Sequence, residues 1–123
     1  MRYLTDRKRA EGLGSAKSGV HHHWSMIVSS VALLALIPLF IFTFGSILGS
    51  DHAEVAAYFA RPFPAIVAAL TLVVGAKHFV GGFQVMIEDY MHGTPQKVVL
   101  ILMTCISYAA VAVGLFALAR LAF

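Results

Sequence analysis

Three long apolar runs separated by short polar connectors dominate the chain. Trp24 to Ser50 carries no charged side chain, Pro62 to about Ile87 is interrupted only by Lys77 and His78, and Val98 to Ala119 is again uncharged. About 20 apolar residues carry a helix across the hydrocarbon core of a bilayer, and each run has them. None of the runs alternates with a period of two, which speaks against the strands of a membrane barrel. The pattern predicts an all-α polytopic membrane protein with three transmembrane helices at about 24–49, 63–90 and 96–120. Pro62, Pro64 and Pro95 fit helix starts, where the missing N–H has no partner to lose. Pro38 falls inside the first helix and is expected to kink it.

Composition supports the membrane class. Of the 123 residues, 59% are hydrophobic and 12% charged, with a mean hydropathy of +0.83; an ordinary soluble domain has about 25% charged residues. Disorder is excluded by the hydrophobicity. The formal net charge of +3 reflects few acids rather than a basic patch, so no nucleic-acid partner is expected. A single cysteine, Cys105, excludes an internal disulfide and is expected as a small buried side chain.

Residues 1–23 read as a polar, partly flexible tail and residues 24–123 as a three-helix anchor domain. The tail is no secretory signal, since the apolar run begins too late and is too long. It holds Arg2, Arg7, Lys8, Arg9 and Lys17, whereas the first connector holds Asp51, Glu54 and only Arg61. The positive-inside rule then places the N-terminus in the cytoplasm and the C-terminus in the periplasm.

Ionisable groups inside a spanning helix are expensive and therefore candidates for function. His78 stands near the middle of the second helix, with Gly75, Gly81 and Gly82 at the three- and four-residue spacings that share its face. That flat surface suits a porphyrin ligated through the imidazole. It also suits glycine-mediated helix packing with His78 hydrogen-bonded to a neighbour, or proton transfer. Asp89, eleven residues on, lies on the same face about 16 Å along the axis. Asp89 and Tyr90 there are candidates for proton and hydrogen-bond chemistry, or a solvated acid beside a member of the aromatic belt. His21, His22 and His23 precede Trp24 at the first helix start. They form an interfacial polar cluster, or contact a headgroup, a cofactor carboxylate or a quinone. As a zinc site the run is poor, because adjacent helical residues point apart. Lys77 faces about 100° away from His78 and is expected to meet a cofactor carboxylate, an acid of a partner subunit, or water by snorkelling.

The segment His78-Phe-Val-Gly-Gly82-Phe-Gln-Val-Met-Ile-Glu-Asp89-Tyr90 resembles the hydrophobic membrane-anchor subunit of succinate dehydrogenase, a family that has a histidine, a glycine four residues on, and Asp-Tyr at eleven and twelve. Ser18-Gly19-Val20-His21-His22-His23-Trp24 resembles that family's lead-in to its first helix. The likeness covers nearly the whole chain. It implies a multi-pass protein of the bacterial inner membrane, a non-catalytic subunit of an oxidoreductase that passes electrons from succinate to ubiquinone. By the same resemblance, His78 is an axial ligand of the iron of haem b, shared with a second membrane anchor, the cytochrome b subunit. His21 lies near the haem propionates, Tyr90 hydrogen-bonds a carbonyl of ubiquinone, and Asp89 lies beside that site. The flavoprotein and iron–sulfur subunits dock on the cytoplasmic face. Many members carry an arginine a few residues into the first helix, where this chain has the apolar Met26, Ile27 and Val28. The alternatives are an anchor for a related quinone-linked enzyme such as fumarate reductase, and a small haem-free transporter subunit using Lys77, His78 and Asp89.

Overall fold

The structure, a computed structural model, describes residues 5–11 and 19–122. Arg2, Lys17 and Ser18 of the tail lie outside the described residues. The elements are α1 (Asp6–Ala10), α2 (Gly19–Gly45), α3 (His52–Phe59), α4 (Pro62–Tyr90) and α5 (Gly93–Ala122). Helices α2, α4 and α5 are long and apolar enough to cross a membrane. At 1.5 Å per residue, their 27, 29 and 30 residues span about 40–45 Å. That exceeds the roughly 30 Å hydrocarbon core, so the helix ends reach the headgroup regions. No strand occurs among the described residues.

The boundaries shift where polar residues continue a helix. α2 starts at Gly19 rather than near residue 24, because the histidine run is helical, and it ends at Gly45. It stays helical through Pro38. α5 starts at Gly93, so Pro95 sits in its first turn. Gly93 has φ +74, a left-handed conformation that glycine adopts without steric cost. This lets the chain reverse from α4 into α5 across Met91 and His92.

The first connector folds into α3. Asp51 caps it, accepting a hydrogen bond from the Glu54 backbone N–H at 2.8 Å, which satisfies one of the donors a helix start leaves open. α3 ends at the buried Phe59 and packs against α4 and α5.

The spanning helices form an open layer rather than a closed bundle. α4 is central; α2 and α5 each pack on it and not on each other. Among the described residues the buried apolar side chains are Phe59, Pro64, Val67, Ala68 and Ile87, while Leu34 and Phe42 of α2 stay 77% and 76% exposed. Cys105 is exposed too, contrary to the expectation of a buried thiol, because α5 has α4 as its only long neighbour. Such faces suit lipid or a second membrane chain and not water.

Two glycines permit the close approaches. A methyl group at Gly81 would lie 2.5 Å from Met26 Sδ of α2, and one at Gly114 would lie 2.5 Å from Leu72 Cδ2 of α4. Each glycine is a hole filled by a side chain of the neighbouring helix, the usual way small residues pack membrane helices. Gly81→Ile is therefore expected to destabilise the α2–α4 contact by about 1–3 kcal/mol, as overpacking does. Gly45→Ala, whose methyl meets nothing within 4 Å, is expected to leave the thermal midpoint in detergent unchanged; equal midpoints for both variants would contradict this packing.

Candidate functional site

The α2–α4 seam gathers the polar groups. Ser29 of α2 and His78 of α4 stand opposite one another, and Met26 opposes Gly81, which fixes an antiparallel register. Ser29 is buried and His78 half-buried. Ser29 Oγ lies 3.0 Å from the carbonyls of Ser25 and Met26 and 2.9 Å from His78 Nδ1.

One proton is available on that hydroxyl. When Oγ donates it to a carbonyl of its own helix, Oγ accepts from Nδ1–H. Both groups are then satisfied, and the lone pair of the imidazole falls on Nε2. That is the tautomer a metal-ligating histidine adopts when its other nitrogen is held by a protein acceptor.

His78 also lines a groove of about 440 Å³ with Ser30, Leu33, Leu34, Ile37 and Pro38. Nδ1 is taken by Ser29, so Nε2 is the nitrogen left for a group in this groove. Pro38 has no N–H to offer the carbonyl of Leu34, and Ser30, the other polar residue of the lining, bonds the Met26 carbonyl of its own helix. Gly75 is open, since a methyl there would meet nothing within 4 Å. Gly81 is not, because Met26 occupies its space, while a methyl at Gly82 would make only ordinary contact, 3.8 Å from Met26 Cε. Of the three glycines expected to make a flat surface around His78, Gly81 is the one filled by a neighbouring side chain.

The histidine run divides. His21 and His23 are exposed, whereas His22 is half-buried and faces Gly81, its Cε1 3.6 Å from where a methyl would stand. His22 Nε2 is buried without a hydrogen-bond partner among the described residues. Leaving such a group unpaired costs about 1–3 kcal/mol. It lies seven residues before Ser29, two turns or about 10 Å along the seam.

Asp89 and Tyr90 close α4, on the end of the layer that His22 approaches; both are exposed, Tyr90 at 83%. Neighbouring Glu88 accepts from Gln84 Nε2 at 2.8 Å. The structure thus places Ser29, His78 and His22 along one seam, with Ser29 and His78 in contact, and leaves Asp89 and Tyr90 apart, about 16 Å along the axis from His78. Among the described residues no three His, Cys, Asp or Glu side chains converge as a metal site.

The family described as succinate dehydrogenase/fumarate reductase transmembrane subunit matches residues 1–119. The chain belongs to that family. It is 46% identical over 121 residues to the succinate dehydrogenase hydrophobic membrane anchor subunit of Paracoccus denitrificans, covering 98% of this chain and 94% of that protein. No solved structure matches it. The resemblance carried by the His78-to-Tyr90 segment is borne out at the level of the family. As a succinate dehydrogenase/fumarate reductase transmembrane subunit with three apolar spans, the chain is a multi-pass protein of the bacterial inner membrane.

Within this transmembrane subunit, Ser29 is the site residue that sequence reasoning did not name, and His22 was named only as one of three histidines in a run. Both had a signal: His22, Met26, Ser29 and Leu33 recur at four- and three-residue spacings, one helix face. Replacing Ser29 by alanine removes the partner of Nδ1 and is expected to lower stability in detergent by about 1 kcal/mol. Ser29→Thr, which keeps the hydroxyl, is expected to restore it; thermal unfolding of both variants checks this.

Proposed function

We propose that this chain anchors a succinate dehydrogenase in the inner membrane and, with a second anchor subunit, forms a haem b site and a ubiquinone site along its α2–α4 seam. The observation that carries the proposal is the division of the His78 imidazole. One nitrogen is held by Ser29, and the imidazole lines a largely apolar groove inside a span, which leaves Nε2 for a group bound there. An imidazole in hydrocarbon with a free nitrogen is costly unless something binds it.

The residues present fit a haem. His78 Nε2 would be an axial ligand to its iron, and Ser29 would orient the ring. The orphaned Nε2 of His22 suits a carboxylate near the end of the seam, with the exposed His21 beside it. Haem b, when bound, supplies a one-electron carrier within the bilayer. A second ligand to the iron would come from another chain, the cytochrome b subunit; His22, the other histidine of the seam, lies about 10 Å from Ser29 along α2.

The quinone site uses the end of α4. The Tyr90 hydroxyl donates to a ubiquinone carbonyl, and the Asp89 carboxylate accepts and releases the protons that quinone reduction takes up. Both are exposed at a helix end, where water reaches them. The basic residues preceding α2 favour this end as cytoplasmic. The flavoprotein and iron–sulfur subunits would dock there and bring electrons from succinate to the membrane surface.

His78→Ala is expected to abolish or shift the low-spin haem spectrum of the complex; an unchanged spectrum would remove the ligand assignment. Tyr90→Phe is expected to weaken succinate:ubiquinone activity severalfold while succinate oxidation with an artificial acceptor stays intact. Equal loss of both activities would point to failed assembly and not to quinone binding.

A further inference from the structure

Lys77 turns away from the seam. It is exposed and lines a pocket of about 300 Å³ with Val80 of α4 and Ser107, Tyr108 and Val111 of α5. His78 faces α2 instead, about 100° around α4. A carboxylate on a group bound beside His78 would have to pass around the helix to meet Lys77.

The pocket is at mid-membrane. Residue 76 is the midpoint of α4, and the midpoint of α5 falls between Ser107 and Tyr108. Lys77 is therefore about 15 Å from either edge of the hydrocarbon core, too deep for a lipid phosphate. No acid of this chain can reach it either. The nearest along α4, Glu88 and Asp89, are eleven and twelve residues away, about 16–18 Å, beyond a four-carbon stem. A second copy would bring no mid-span acid and would set two lysines together across a two-fold axis.

We propose that the Lys77–Ser107–Tyr108 pocket is the docking surface for a membrane-spanning helix of a different chain that carries an aspartate or glutamate at mid-span. The carboxylate pairs with Lys77 Nζ and accepts from the Ser107 or Tyr108 hydroxyl. A mid-span ammonium facing hydrocarbon is retained where an opposite charge meets it. Lys77 and Tyr108 are exposed on this side of α4 and α5, while Ser107 lies buried at the floor of the pocket. This interaction is independent of the haem and quinone assignments.

The test treats the intact complex in native membranes with dicyclohexylcarbodiimide, a lipid-soluble activator of carboxyl groups. An amide between Lys77 Nζ and an aspartate or glutamate in a spanning helix of another chain, found by mass spectrometry, is the expected result. In parallel, Lys77→Met is expected to lose that partner chain during detergent purification, while Lys77→Arg retains it. An amide to Glu88 or Asp89 of the same chain, no amide at Lys77, or a Lys77→Met complex that keeps every subunit overturns the proposal. The cross-link is read on the unmutated complex, so it decides even if Lys77→Met fails to fold.

Discussion

Everything in this structure follows from a rule of the bilayer: a polar group in hydrocarbon must find a partner, because water cannot supply one. His78 has two ring nitrogens to satisfy. Ser29 satisfies one across the seam at 2.9 Å, and this contact, with Met26 seated on Gly81, sets the register of α2 against α4. That register in turn decides which residues line the groove beside His78 and where His22 lies. Helix packing and ligation, two readings that the sequence left as rivals, use different nitrogens of one ring and are compatible.

The open layer gives the fold its meaning. A self-sufficient membrane protein would close its helices around a core. Here α4 alone is sandwiched, and α2 and α5 keep most of their surface uncovered. The two faces that remain are chemically distinct, one bearing the groove beside His78 and the other the pocket beside Lys77. An anchor that shares its binding sites with other chains needs such unfinished faces. The family relationship and the incomplete packing point the same way.

The three spans were legible because uncharged runs of this length have few alternatives to crossing a membrane. Their ends were less so. The histidine run has the polarity of a tail, yet Gly19 to His23 are helical, since a helix entering the headgroup region can carry polar side chains at little cost. Helix α3 is hidden although Asp51-His52-Ala53-Glu54 has the spacing of a helix start; eight residues between two long apolar runs read as a connector. The glycines near His78 are correctly placed on one face by spacing. Which of them are open and which are filled depends on Met26, a residue of another helix, and no local spacing encodes that. Ser29 is the sharpest case: its spacing puts it on one face with His22 and Met26, but nothing local says that His78 stands across from it.

The central claim is that His78 offers Nε2 to an iron from a position fixed by Ser29. The most direct measurement is the reduced-minus-oxidised absorbance spectrum of the unmutated complex purified through this chain, with its haem content quantified. The account predicts a sharp b-type α-band and one haem per copy of the chain. A complex that purifies with all its subunits and shows no haem band would contradict it.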